Sequence, residues 1–245
     1  MSNLVFPDVI PPAWGFGKTP EDAVIVQSGP NRAETRITQT HNPIWHWEPK
    51  YTLLLDDPNN IRGSLTYTDL RTMAGFFLRV HGRFDDFLYS DRDDNAVVAQ
   101  TLALVNDGAG NYYSPIQRDF GGFLEDVTDL NPYFQAGLPS GTYQPQMIVV
   151  QANGVTKTQD VLGTPHDYSV IGPGLAIPGY SYRGLVIKWH ITPTAPITAS
   201  FLFYFRVRFE MPKQAFEKWY KLAWGAGGAL GGDPIKLVSA RTAGS

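Results

Sequence analysis

Apolar and polar positions alternate most cleanly over residues 201–210, FLFYFRVRFE. Read with period two, Phe201, Phe203, Phe205, Val207 and Phe209 share one face, while Leu202, Tyr204, Arg206, Arg208 and Glu210 share the other. The stretch predicts a strand with a strongly apolar underside and two arginines on top. Shorter runs of β-prone residues predict further strands at AVIVQSG (23–29) and on either side of Asn42-Pro43 in the segment 33–57, whose KYTLLL leads into a polar loop at 56–63. Strands or strand ends are also predicted in DDFLYSD (85–91), VVAQTLALVND (97–107), YYSPIQRD (112–119), FLEDVTDL (123–130) and GLVIKWHI (184–191), with DGAGN and FGG as turns. MIVVQANGVTKT (147–158) predicts a hairpin turning at Asn153-Gly154. Residues 163–184, rich in Gly, Pro and Tyr, read as loop.

Two segments carry the helical period instead. In SLTYTDLRTMAGFFLRVHG, Leu70, Met73, Ala74 and Phe77 recur at i, i+3, i+4 and i+7, Thr66 with Asp69 resembles a capping box, and Gly82 is a natural stop. Its single apolar stripe predicts a helix lying against a sheet. A second helix is predicted from about Pro212 to Trp224. Pro212 suits its first turn, Phe216, Trp219, Tyr220 and Ala223 form its stripe, and Glu217 stands four residues before Lys221. GAGGALGGD then bridges to a last strand, PIKLVSA. No repeat of fixed period and no sharp boundary interrupts the chain, so a single domain over residues 1–245 is expected.

Composition sharpens this picture. Hydrophobic residues make up 43% and charged residues 18%, which supports a sizeable core and argues against global disorder. Aromatics at 13%, with 24 Gly and 19 Pro, favour a mainly β chain with many turns. The net charge of −3 excludes a generally basic nucleic-acid binder. The charge is uneven. Residues 1–120 hold 10 Lys and Arg against 15 Asp and Glu, and residues 121–245 hold 10 against 8, so the first half has room for an acidic surface. With no cysteine there is no disulfide, thiolate metal site or Cys nucleophile. The segment MSNLVFPDVIPP lacks the basic start and apolar run of a signal peptide, and no apolar run approaches the about 20 residues that span a bilayer.

Candidate chemistry is sparse. DRDDN (91–95) offers oxygens at Asp91, Asp93 and Asn95 like the start of an EF-hand loop, but Ala96 and Leu102 stand where that loop needs Gly and Glu. The expected role is a polar turn whose side chains cap backbone amides. HNPIWHWE (41–48) places His46 and Glu48 on one strand face, with His41 beyond a proline, short of the convergent ligands zinc requires. Neither GFG (15–17) nor GAGGALGG (225–232) has the setting of a phosphate loop, and there is no nucleophile elbow. Adjacent acids on a strand point to opposite faces, so pairs such as Asp56/Asp57 and Asp85/Asp86 are poor acid–base partners. No catalytic residue, cofactor or metal is expected.

Taken in order, FPDVIPPAWGFG, QSGPNRAETRI, GRFDDFLYSDRDDN after the helix, NDGAGNYYSPIQRDFGG, VVQANGV, DYSV, LFYFRVRF and IKLVSA resemble the distal tail protein family of tailed phages and gene-transfer-agent particles. The resemblance spans most of the chain, with residues 163–196 and 225–233 as elaborations. It implies a tail-tube-like β-sandwich or barrel with a flanking helix. It also implies a non-enzymatic virion protein, made in the host cytoplasm, whose subunits form a ring, expected to be a hexamer. Its implied partners are itself, the tail-tube protein and the tip or hub proteins, with DNA passing through the lumen without specific binding and no membrane contact. Arg206 and Arg208 are then candidates for carboxylates on a neighbouring subunit; acids of this chain's own first half, or Glu210, are the other destination. Asp56, Asp57, Asp85, Asp86, Asp91, Asp93 and Asp94 are candidates for the lumen, since carboxylates there would keep DNA from sticking. Two alternatives stand beside this. One is a carbohydrate-binding tail module using Trp45, Trp47, Tyr180 and Tyr182. The other is a glycan-cleaving enzyme, disfavoured because no paired carboxylates stand out.

Overall fold

The computed structural model describes residues 3–7, 17–22, 24–28, 32, 34–38, 42–62, 65–131, 148–160, 166–172, 176–177, 180–181, 184–211, 217–220, 223–226 and 234–240. Within them lie 23 strands and one helix, so the chain is mainly β, and no barrel closes among the described residues. The chain divides into two compact units. One comprises residues 1–89 and 206–241, the other residues 90–205 and 242–245. The boundary falls inside the longest strand, Ile197–Phe209, between Phe205 and Arg206.

That strand follows its sequence pattern. Phe201, Phe203, Phe205, Val207 and Phe209 are all buried, whereas Arg208 and Glu210 are exposed and Leu202 and Arg206 are half-buried. Tyr204 departs from the alternation and is buried too.

In the first unit, antiparallel strands run in the order Gly17–Glu21, Ile44–Glu48, Leu237–Ser239 and the end of the long strand. Strand Ile44–Glu48 alternates strictly, burying Trp45 and Trp47 and turning His46 and Glu48 outward. The helix Asp69–Arg79 carries Asp69 in its first turn and Arg79 in its last, each favourable to the helix dipole. It starts two residues later than the capping-box reading implies, with Thr68 in place of Thr66 at the N-cap. Leu65–Thr68 instead form a strand on Tyr51–Arg62, and Thr68 makes no side-chain cap. The β-branched and aromatic run LTYT gains a backbone ladder there, which outweighs one cap. Tyr51–Arg62 likewise runs as strand through the polar segment expected to be a loop.

The helix buries Met73, Phe76 and Val80, with Leu70, Ala74 and Phe77 half-buried, so its apolar stripe is rotated toward its C-terminus. Phe76 and Phe77 meet Phe6, Phe87 and Phe209 in one aromatic cluster, with ring centroids 4.9 Å apart for Phe77–Phe209 and for Phe87–Phe209 and 5.0 Å for Phe76–Phe87. The helix ends in a Schellman motif. Gly82 N–H donates to Phe77 O at 3.0 Å and His81 N–H to Leu78 O at 3.1 Å, with left-handed φ of 52° at His81 and 62° at Gly82.

The expected second helix is not formed. Glu217–Tyr220 and Ala223–Ala226 are antiparallel strands, and the latter pairs with Tyr51–Arg62 through Ala223↔Leu55 and Trp224↔Leu54. The aromatic residues that made a helical stripe are also good strand formers, and the free edge of Tyr51–Arg62 offers hydrogen-bond partners that a lone surface helix lacks. Residues 212–216 and most of the glycine-rich bridge, 227–233, lie outside the described residues.

In the second unit, Ile148–Ala152 and Ala96–Leu102 pair with residues 197–202 of the long strand, and Asp129–Leu130 pair with residues 203–204. Ala99, with φ of 49°, marks a bulge in Ala96–Leu102 where Ser200 Oγ accepts the Ala99 N–H at 2.8 Å. The hairpin Ile148–Ala152/Val155–Lys157 turns at Asn153-Gly154, both left-handed, as a type I′ turn requires. Val105–Asn106, Tyr112–Pro115, Val186–Trp189 and Tyr168–Ile171 form a four-stranded sheet. Tyr168 and Trp189 are buried on it, and their polar ends are satisfied by Ile148 O at 3.0 Å and Ser114 Oγ at 3.1 Å.

Candidate functional site

The segment 90–95 is a tight polar turn. Asp91 is fully buried and accepts the Asp93 N–H on Oδ1 at 3.2 Å; its carbonyl accepts the Asp94 N–H at 3.2 Å, and Asn95 Nδ2 donates to Ser90 Oγ at 3.0 Å. Asp91 takes the amide-capping role expected from the sequence, whereas Asn95 bonds a neighbouring hydroxyl. Asp91 therefore faces protein, not a lumen. Asp93 is exposed, and Asp94 forms an ion pair with Arg118.

Arg118 is the centre of an extended polar cluster among the described residues. It sits in the hairpin Gln117–Phe120/Phe123–Asp126, whose turn is Gly121-Gly122 with φ of 65° and 91°. The register places Arg118 opposite Glu125. Arg118 is 2% exposed; its Nε donates to Glu125 Oε2 at 2.8 Å, its Nη2 reaches the same oxygen, and its Nη1 reaches Asp94. The guanidinium lies 4.8 Å from the centroid of Phe205, 5.1 Å from Phe120 and 5.6 Å from Phe203. Stacking and a forked ion pair together hold the cation in a dry site. Gln117 Nε2 donates to buried Asp126 at 2.8 Å beside it. Arg118, Glu125 and Asp126 are all buried. Arg118 is fully engaged, and its chemistry is to fix the hairpin. Beyond it the hairpin exposes Phe120, Phe123 and Leu124.

The two arginines of the long strand diverge. Arg206 is half-buried and its Nη2 donates to Asn3 Oδ1 at 3.4 Å, whereas Arg208 is exposed. Asp85 and Asp86 are half-buried just past the helix, and the side chains of Asp56 and Asp57 lie outside the described part. The candidate acids are thus not one continuous feature: Asp91 is internal, Asp94 is paired, and Asp85, Asp86 and Asp93 reach solvent.

The histidine segment forms an ordinary sheet surface. His46 Nε2 lies 2.8 Å from Glu21 Oε2, its Nδ1 lies 3.9 Å from Glu210 Oε2, and Glu48 faces Lys236 Nζ at 3.6 Å. No group of three or more potential metal ligands converges among the described residues. Trp45 and Trp47 are 3% and 0% exposed and pack within the core with their rings tilted against each other, so neither presents a face to a sugar. Tyr182 and the side chain of Tyr180 lie outside the described part. No helix among the described residues is long and apolar enough to cross a membrane.

Asp107 is held below its usual titration range. In the DGAGN turn, the Asn111 side-chain amide donates to Asp107 Oδ2 at 2.6 Å, and the N–H groups of Ala109 and Asn111 donate to Oδ1 at 2.8 and 3.0 Å. The Asn111 amide, aided by these backbone donors and only partly opposed by desolvation, holds the Asp107 carboxyl below the ordinary carboxylate value. The ionised form is favoured in the folded state. Its contribution to the turn is therefore complete above the ordinary carboxylate range and is lost as the pH falls through the lowered folded value. An NMR titration of the Asp107 carboxyl carbon is expected to show a midpoint below that of a free aspartate, moving up to it in Asn111→Ala. An unshifted midpoint in the parent chain would contradict this geometry.

No protein-family model matches this chain and no curated protein matches it.

Proposed function

We propose that this chain is a structural, non-enzymatic subunit of a phage-type tail. In this role it is a distal tail protein that assembles into a closed ring, expected to be a hexamer, between the tail tube and the tip or hub proteins, in a virion assembled in the host cytoplasm. The observation that carries this proposal is the ordered series of motifs from FPDVIPP to IKLVSA, which runs through both compact units. The mainly β architecture with one helix on an aromatic sheet supports it, because the resemblance implies that arrangement. A ring subunit works by presenting surfaces, and the polar clusters here are consumed in holding the fold. DNA would pass without specific binding, helped by half-buried Asp85 and Asp86 and exposed Asp93 along the path. The burial of Trp45 and Trp47 removes two of the four rings on which the carbohydrate-binding alternative depended.

A ring closes when a heterologous contact repeats around an axis. Exposed Arg208 and half-buried Arg206 are the cations proposed to meet carboxylates of the next subunit. Electron microscopy of the concentrated protein or of the particle is expected to show closed rings. Replacing Arg206 and Arg208 together by Gln is expected to reduce ring formation while leaving the melting temperature of the separate chain within a few degrees. A monomer decorating the particle exterior would overturn the proposal, and loss of folding in the double variant would place the arginines' partners within the chain.

A further inference from the structure

Strands Val24–Ser28 and Glu34–Thr38 form a two-stranded antiparallel sheet, paired from Val24↔Thr38 to Ser28↔Glu34, with no third described strand on either edge. Every residue of Val24–Ser28 is exposed, as are Glu34, Thr35, Arg36 and Ile37. The exposure includes large apolar side chains: Val26 at 53% and Ile37 at 52%. Two strands alone are marginally stable in water, and a third strand or a covered face is what ordinarily supports them. Among the described residues neither outer edge has a strand partner, and such an edge is a template for strand addition.

Charge identifies what fits this edge. Glu34 and Arg36 are two residues apart, so they stand on the same face, and in the single chain they bridge each other at 2.9 Å with both side chains largely in solvent. We propose that the strand Glu34–Thr38 adds to the same strand of a second copy of this chain, antiparallel, about a two-fold axis at Thr35. In that register Glu34 lies opposite the second copy's Arg36 and Arg36 opposite its Glu34, giving two cross-strand ion pairs at once. Within Glu34–Thr38, registers centred on Glu34 or on Arg36 would set like charges against each other and those centred on Ile37 or Thr38 would form neither ion pair, so Thr35 is the favoured centre. The two hairpins become one four-stranded sheet, and each gains a third strand beyond the two described. Strand Val24–Ser28 has no charged residue and offers no such selection. The contact is isologous and cannot by itself close a cyclic ring, so it stands whether or not the tail assignment holds.

The chain has no cysteine, so one introduced thiol reports one position. Facing Cα atoms in an antiparallel pair are about 4.5–5.5 Å apart, within the range of about 4.4–6.8 Å that a disulfide bridges. Full-length Thr35→Cys at micromolar concentration under mild oxidation is expected to give a disulfide-linked dimer. Gln27→Cys, on the other strand, is expected to remain largely unlinked. Adding Arg36→Glu to Thr35→Cys is expected to slow cross-linking about tenfold, because two attractive pairs become two repulsive ones. Further adding Glu34→Arg, which restores opposite charges in the same register, is expected to recover the rate. The proposal is overturned if folded Thr35→Cys protein stays monomeric, if Gln27→Cys links as fast, or if Arg36→Glu leaves the rate unchanged.

Discussion

Phe209→Ala is expected to lower the unfolding free energy of the unit that contains the helix by about 3–5 kcal/mol. Phe209 is 2% exposed and its ring meets four others, with centroids 4.9 Å from Phe77 and Phe87 and 6.4 Å from Phe6 and Phe76. Removing it takes away the buried ring surface and leaves a hole whose walls come from the helix, the segment around Phe6 and the strand Phe87–Tyr89. These aromatic walls are large and rigid and cannot collapse into the gap together, so the cavity cost stays near its full value. The neighbouring Arg208→Ala, which removes an exposed side chain, is expected to change stability by no more than about 0.5 kcal/mol. Urea unfolding followed by near-ultraviolet circular dichroism checks both. Equal effects at the two positions would mean that the faces of the strand are assigned wrongly.

The contrast between those two neighbours was legible in the sequence because alternation has a single solution once one face is four phenylalanines and a valine. The Asn153-Gly154 hairpin was legible for a similar reason: a turn with both residues left-handed admits few sequences, and the flanking strands leave no other register. Where two periods fit, the sequence was ambiguous. Trp219, Tyr220 and Ala223 satisfy a helical stripe, yet they fold as strands because the edge of Tyr51–Arg62 supplies partners far away in sequence. The helix itself was foreseen, but its buried stripe is shifted because Phe6, Phe87 and Phe209, again distant in the chain, decide which side faces inward. The Arg118 cluster was missed although half of it was readable. A two-residue Gly121-Gly122 turn pairs Phe120 with Phe123, and counting back two residues on each side sets Arg118 against Glu125. The other half, Asp94, comes from a turn 24 residues earlier and has no local signature. The acids proposed for a lumen show the same limit. Asp91, Asp93 and Asp94 are near neighbours in sequence, but one is buried, one exposed and one paired, because burial depends on what the turn packs against.

Arg118→Met is expected to cost about 3–5 kcal/mol in the unit that contains it, mainly because it strands a carboxylate. Glu125 is 7% exposed and receives both Nε and Nη2 of Arg118, whereas the Asp94 side chain is 21% exposed and can turn to water when its partner is lost. The penalty should therefore concentrate on Glu125. Three consequences separate this account from simple loss of packing. Arg118→Lys keeps a charge but not the planar fork or its stacking on Phe205, so it is expected to fall between the parent and Arg118→Met. Arg118→Met combined with Glu125→Leu removes both buried charges and is expected to recover most of the loss. The deficit of Arg118→Met alone is expected to shrink as the pH falls, since protonating the stranded carboxylate removes the charge that burial penalises, and the folded state then binds a proton that the unfolded state does not yet hold. Chemical denaturation of the four proteins between neutral and mildly acidic pH measures all three. A double variant no better than Arg118→Met, together with a deficit independent of pH, would show that the guanidinium acts by filling space among Phe120, Phe203 and Phe205 and that its ion pairs contribute little.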